Sequence, residues 1–155
     1  FKGTIFYPGC ILKNAKYMVI QNTIFARNCC IKAFKGKDKK VINIQNSYFA
    51  DYAYISSKGN LCIKNACFSP HVFIGTYKHS ITKKEQDSSY FINIDSPKFI
   101  GQNVSIFGNV NINRGVVIGA CAVVTKDCLN DSMYIGNPAK RIKHYEDVDD
   151  IWIKI

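Results

Sequence analysis

Ile94, Ile100, Ile106, Ile112, Ile118 and Val124 recur at steps of six through the C-terminal half of the chain. A helix does not bury one face at that period, because six steps of about 100° turn each residue by about 240° relative to the last. A single strand places i and i+2 on one face and does not run for about thirty residues. The spacing predicts a coil with three flat faces, each about six residues long and each sending one aliphatic side chain inward. Gly101, Asn103, Gly108, Asn109, Asn113, Gly115 and Gly119 fall between the inward positions, where corners need residues that turn easily. Three hexads make one coil, and coils stack by parallel strand pairing into a β-helix.

The N-terminal half keeps a looser version of this frame. "VIQNTIFARNCCI", "INIQNSYFADYAYI" and "LCIKNACFSPHVFI" align so that Asn22, Asn46 and Asn65 occupy one point, as a corner or a ladder of stacked amides requires. Phe25, Phe49 and Phe68 follow three residues later, and Ile31, Ile55 and Ile74 six after that. One step of six earlier the frame lands on Val19, Asn43 and Cys62, one of them polar. Ile20, Ile44 and Ile63, one residue further on, are apolar in all three repeats, so the period slips there. Unequal pieces, 32–41 and 56–60, join the coils. A stack of this kind buries its core only between neighbours and needs capped ends.

Two segments leave the pattern. "KHSITKKEQDSSY", Lys78 to Tyr90, is polar and aperiodic, and reads as a loop extruded between coils over about 78–93. Long irregular loops in compact domains are often functional. At the C-terminus Val148, Ile151, Trp152 and Ile155 have helical spacing, which predicts a short capping helix within about 139–155. "DIWIKI" fits a strand equally well.

Composition narrows the class. One domain over 1–155 is expected from the length. No apolar run approaches the roughly 18 residues that span a bilayer, and no signal segment is legible. Seven Cys without a CxxC, two of them adjacent, make neither a disulfide framework nor a metal knuckle. They suit a reducing cytoplasm, where free Cys packs as a small hydrophobe. The net charge of +10 favours an anionic partner. Nucleic acid is not expected, because the lysines are scattered except in "KAFKGKDKK" (Lys32–Lys40), a solvated turn.

"KFIGQNVSIFGNVNINRGVVIGACAVVTKDCLNDSMYIGNPAKRIK", residues 98–143, resembles the C-terminal signature of the hexapeptide-repeat acyltransferases, with "VTKD" and "GNPAK" boxes at matching separation. "CFSPHVFIGTYKHSI" is similar to the stretch before the extruded loop in the sugar and polysaccharide O-acetyltransferases of that superfamily. The likeness covers 62–143 well and 1–61 loosely. It implies an all-β, left-handed parallel β-helix, although the general rule for parallel crossovers favours the right hand. It also implies a homotrimer with active sites between subunits and acetyl-CoA as donor.

Acetylating a hydroxyl needs a base, because an alcohol is a weak nucleophile at neutral pH. By resemblance His79 is that base. His71 lies eight residues earlier beside Pro70, where a corner is expected, and His144 follows the terminal cations. Asp51 stands where relatives often carry Asn, and there it would hold the acceptor or orient His79. The resemblance places the backbone N–H that receives the thioester oxyanion at Gln102. Phe99 replaces a usual Trp beside the pantetheine channel. Small residues at Gly119 and Ala120 let an extended pantetheine lie against the backbone. Thr125 and Lys126 match positions near the adenine and phosphates. Lys140 and Lys143, three apart, share a face if that segment is helical and would attract the coenzyme phosphates; relatives often have Arg at Lys143, whose fork Lys lacks.

The sequence therefore reads as a cytoplasmic, acetyl-CoA-dependent O-acetyltransferase acting on a sugar or polysaccharide of capsule or O-antigen type by direct transfer in a ternary complex. The alternative is an N-acetyltransferase of an amino sugar or nucleotide sugar on the same scaffold. A metalloenzyme using three His lacks its third well-placed His here, so no metal is expected. A non-catalytic binding protein would not need both boxes. Membrane contact is expected only through a lipid-linked acceptor.

Overall fold

A computed structural model describes residues 1–35, 41–76, 91–147 and 149–155. The chain winds through stacked coils of three strands each. They are β1 Ile5–Phe6, β2 Ile11–Lys13 and β3 Met18–Gln21; β4 Ile24–Phe25, β5 Cys30–Ala33 and β6 Ile42–Gln45; β7 Tyr48–Phe49, β8 Tyr54–Ser57 and β9 Leu61–Lys64; β10 Cys67–Phe68, β11 Phe73–Gly75 and β12 Ile92–Asp95; β13 Phe99–Ile100, β14 Ser105–Phe107 and β15 Val110–Ile112. A last coil has β16 Val117–Ile118 and β17 Val123–Val124, and closes with a bridge from Cys128 to Ile112. The first strands of the coils form one sheet, the second strands another and the third strands another, all parallel within the coils. This is the predicted three-faced parallel β-helix.

All six residues of the six-step series are buried, Ile94, Ile100, Ile106, Ile112 and Ile118 at 0% exposure and Val124 at 1%. The slipped frame is real: Ile20 pairs with Ile44 and Ile44 with Ile63, all buried, while Val19, Asn43 and Cys62 turn outward. Phe25, Phe49 and Phe68 stack at ring separations of 4.7 and 4.4 Å, nearly parallel. Ring stacking adds about 0.5–1.5 kcal/mol per pair to the burial itself, so coil register is fixed by shape as well as by the backbone ladder.

The corners between third and first sheets carry the predicted asparagines. Asn22, Asn46 and Asn65 have φ of 48°, 48° and 51°, a left-handed conformation that Asn tolerates. Their amides form the expected ladder, Asn22 Nδ2 donating to Asn46 Oδ1 and Asn46 Nδ2 to Asn65 Oδ1, both at 3.2 Å. It continues to Ser96 Oγ.

The C-terminus differs from the helix expected there. β18 (Ser132–Ile135) adds parallel to β16, and then β19 (Lys140–Glu146) and β20 (Ile151–Lys154) turn back as antiparallel strands. The strand reading of "DIWIKI" is the correct one, because a hairpin continues the hydrogen-bond ladder that β18 would otherwise leave open. The loop expected over about 78–93 does not reach 93, since Ile92 and Asn93 already pair with Leu61 and Cys62; residues 78–90 lie outside the described residues. No helix among the described residues is long and apolar enough to cross a membrane.

Candidate active site

Thr76 and Phe91, the described residues on either side of 77–90, are both pinned at the corner of the second and third sheets. Thr76 is fully buried; its Oγ1 accepts the backbone N–H groups of Lys58 and Gly59, each at 3.0 Å, and lies 2.9 Å from Ser57 Oγ. Ser57 Oγ donates to Gly59 O at 2.7 Å, so the Thr76 hydroxyl donates to Ser57. At the other end Phe91 N–H donates to Asn109 Oδ1 at 3.0 Å, one coil further on. His79 lies between these anchors, outside the described residues, as do residues 36–40 of the lysine-rich turn.

Thr125 and Lys126 occupy the same corner two coils beyond Thr76, both exposed. Asp127 completes the "VTKD" box, and its role is structural: Oδ1 accepts Asn111 N–H at 2.7 Å. That bond holds the preceding strand and leaves Thr125 and Lys126 turned to solvent.

The other predicted residues gather at the corner of the first and second sheets. Asp51 is half-buried and its Oδ1 accepts Arg27 N–H at 2.8 Å, which fixes one carboxylate oxygen on the coil above. Gln102 is exposed, and its N–H has no acceptor among the described residues. Gly119 and Ala120 lie one coil on. A Cβ at Gly101 would come within 2.6 Å of Ala120 N, and one at Gly119 within 2.7 Å of Ile135 Cγ2. These glycines are therefore demanded by coil packing, whatever else lies against them.

Phe99 is 48% exposed on the outer face of the first sheet. It pairs with Val117, Val117 with Met133 and Met133 with Lys143, so four outward side chains follow one line across the sheet. In a regular strand Lys140 and Lys143 would point to opposite faces. A bulge prevents that: Ile135 pairs with Lys140 and Tyr134 with Arg141, but Met133 pairs with Lys143, leaving Ile142 as the extra residue. Both lysines thus share the outer face with Ile135 and Met133, while Arg141, also exposed, lies on the opposite face of the strand and its Nε donates to Ser132 Oγ at 2.9 Å. The helix assumed for this pairing is absent, and the shared face is reached by another route. The "GNPA" turn, whose Asn137–Pro138 peptide is cis, closes the free edge of the second sheet: Val123 N–H donates to Gly136 O and Ala139 N–H to Val123 O.

Sequence reasoning missed an exposed aromatic pair. Tyr52 and His71 stack at 4.9 Å and 3° on the corner beside Asp51, with φ of 63° and 61°. The signal was available, since their spacing equals that of Phe49 and Phe68. His71 does occupy the expected corner. Among the buried thiols, burial raises Cys128 to about 12 with help from Asp127, and desolvation raises Cys29 to about 11. Neither is a nucleophile at neutral pH. Among the described residues no group of three His, Cys, Asp or Glu is placed to hold a metal ion.

One chain thus divides its candidate residues. Asp51, Gln102, Gly119 and Ala120 lie at one edge of the second sheet; Thr125, Lys126 and the base of the His79 segment lie at the other.

No family model matches the chain. A Schizosaccharomyces pombe protein named "Putative acetyltransferase" is 35% identical over 112 residues, covering 70% of this chain and 52% of that one. The Escherichia coli K12 protein named "Putative lipopolysaccharide biosynthesis O-acetyl transferase WbbJ" is 29% identical over 118 residues, covering 67% and 60%. The chain spans about half the length of the first of these relatives and three-fifths of the second. Among solved structures, AntD, an N-acyltransferase from Bacillus cereus in complex with dTDP and 3-hydroxybutyryl-CoA, superposes with a TM-score of 0.75 at 18% identity, covering 91% of this chain and 79% of that one. The hexapeptide-repeat acetyltransferase VCA0836 of Vibrio cholerae, complexed with acetyl coenzyme A, gives 0.62 at 18% identity, covering 90% and 72%. The chain thus shares the fold of solved hexapeptide-repeat acetyltransferases, and over 70% of its length it is similar in sequence to a protein named a putative acetyltransferase.

Proposed function

We propose that this chain is the catalytic β-helix of an acetyl-CoA-dependent O-acetyltransferase whose acceptor is a sugar or polysaccharide hydroxyl. The observation that carries the donor is the line Phe99–Val117–Met133–Lys143, with Lys140 beside its cationic end. Three strand spacings of about 4.8 Å make it about 14 Å long, apolar at one end and doubly charged at the other. That matches an extended pantetheine ending in phosphates. His79 takes the acceptor proton as the hydroxyl oxygen attacks the thioester carbonyl, and then returns it to the leaving thiolate. Gln102 N–H receives the oxyanion, since a preorganised donor that gains a partner only in the transition state lowers the barrier. Asp51, with one oxygen held by Arg27 N–H, presents the other to the acceptor.

The division of these residues between two edges of the second sheet supports a site shared by neighbouring subunits of a homotrimer, each supplying one edge. The likeness to the lipopolysaccharide O-acetyltransferase supports a glycan hydroxyl as acceptor. The likeness in fold to AntD, an N-acyltransferase solved in complex with dTDP-4-amino-4,6-dideoxyglucose and coenzyme A, supports the second reading, an amino-sugar acceptor. A screen of acetyl-CoA consumption against glycans and nucleotide sugars tests both. An O-ester product is lost in mild base and an amide survives; no turnover with either class rejects the proposal. His79→Ala is expected to lower kcat by roughly 10²–10⁴-fold with little change in donor affinity. A variant keeping most of its activity removes His79 from the mechanism.

A further inference from the structure

The first sheet ends on β20, and the sequence of that open edge complements itself. Ile155 N–H donates to Ile142 O at 3.0 Å, and Ile153 and Ile151 lie opposite His144 and Glu146. Bonding direction alternates along an antiparallel strand. Ile151, Ile153 and Ile155 therefore turn their backbone groups toward β19, and Trp152 and Lys154 turn theirs to the open side. Side chains alternate as well. Ile151, Ile153 and Ile155 are 49%, 36% and 63% exposed on one face. Trp152 lies on the other, 5.4 Å from Tyr145 and 5.7 Å from Lys98 Nζ. An open strand with three exposed aliphatic residues is a template for another strand.

We propose that β20 strands from two copies of this chain pair antiparallel about a two-fold axis at Ile153, joining their first sheets. In that register Trp152 faces Lys154 of the partner subunit. The outward N–H and C=O of both residues are then satisfied, giving four hydrogen bonds. On one face Ile153 meets its own copy and Ile151 meets the partner's Ile155. On the other face each Lys154 lies across from an indole, where a cation is welcome. Neighbouring registers fail. An axis at Lys154 sets two ammonium groups against each other. An axis at Trp152 sets Lys154 against Asp150, which is outside the strand, has φ of 52° and is hydrogen-bonded to the Tyr145 hydroxyl. A two-fold pairing of this kind is closed and self-limiting, and it is independent of the donor and acceptor assigned above.

Cysteine crosslinking reads the register directly. Ile153 would form a non-hydrogen-bonded pair with its copy, with Cα atoms about 4.5 Å apart, within disulfide reach. Under mild oxidation Ile153→Cys should give a covalent dimer of the 17.5 kDa chain that reductant reverses. Lys154→Cys should give none beyond the parent, whose exposed Cys67 and Cys121 set the background. Adding Lys154→Pro to Ile153→Cys removes an outward donor and leaves the β19 ladder intact. It should slow crosslinking by roughly tenfold, because two of the four hydrogen bonds are lost. Crosslinking of Ile153→Cys no faster than that of the parent or of Lys154→Cys overturns the pairing, and that comparison stands without the proline variant.

Discussion

Replacing Thr76 with Val tests what holds the corner between β11 and the third sheet. The two side chains have nearly the same shape, so the change deletes one hydroxyl and little volume. That hydroxyl, itself fully buried, accepts two backbone N–H groups at 3.0 Å, that of Gly59 buried and that of Lys58 part-buried, and donates to Ser57 Oγ. A buried donor that loses its acceptor costs about 1–3 kcal/mol, so the two amides together cost about 2–6 kcal/mol. For a chain of this size each kcal/mol lowers Tm by about 2–4 °C, and the expected fall is roughly 4–24 °C. Thr76→Ser keeps every hydrogen bond and loses one methyl group, at about 1 kcal/mol. Circular dichroism melts of the three proteins at equal concentration measure both shifts. Hydrogen exchange at the Lys58 and Gly59 amides should quicken only in the Val variant. A Val variant that melts within about 2 °C of wild type, at or above the Ser variant, would refute the account of this corner.

Three further outcomes follow from other parts of the molecule. Lys140→Ala with Lys143→Ala should raise the KM for acetyl-CoA and spare the acceptor KM, with the effect shrinking as salt rises; wild type that uses a dephospho-coenzyme A thioester equally well would leave the lysines as surface charge. Asn46→Ala removes the two ladder bonds that Asn46 makes and puts at φ 48° a residue without the short polar side chain that lets Asn adopt it, and should cost about 2 kcal/mol in urea unfolding, with Asn46→Gly recovering part of it. Cys29 and Cys128 ionise later folded than unfolded, at about 11 and 12 against about 9, so above pH 9 the unfolded chain holds fewer protons and stability falls. That contribution is whole below pH 9 and is lost as pH rises through 11 to 12. Urea midpoints that do not fall over this range would contradict it.

The period carried most of the fold. Inward aliphatics at steps of six, the slip to Ile20, Ile44 and Ile63 and the asparagine ladder were legible because each is a repeated packing demand, stated once per coil. The terminal hairpin was not legible, because it occurs once. Its Ile151, Trp152 and Ile155 mimic a helical stripe, while the strand alternation of Ile151, Ile153 and Ile155 sits in the same five residues. Only the open edge of β18 decides between them. The shared face of Lys140 and Lys143 depends on one extra residue in the ladder, and nothing in the composition of "KRIKH" marks Ile142 as that residue. The "VTKD" and "GNPAK" boxes were found by resemblance, but the jobs of Asp127, Gly136 and Ala139 in closing the coils are visible only in the hydrogen bonds.

The three corners of the coil are not equivalent. From β4 through β17, every passage from the first sheet to the second takes four residues, as 26–29, 50–53, 69–72, 101–104 and 119–122 do. Passages from the second sheet to the third take eight, three, sixteen and two, over 34–41, 58–60, 76–91 and 108–109. Core residues and strand register are the same on either side of the longest and the shortest of these. The scaffold thus tolerates insertion along one edge and forbids it along another. Lineages descended from such a chain can lengthen, shorten or exchange segments on that edge without renegotiating the interior, so new acceptor preferences can arise as peripheral edits to an invariant column.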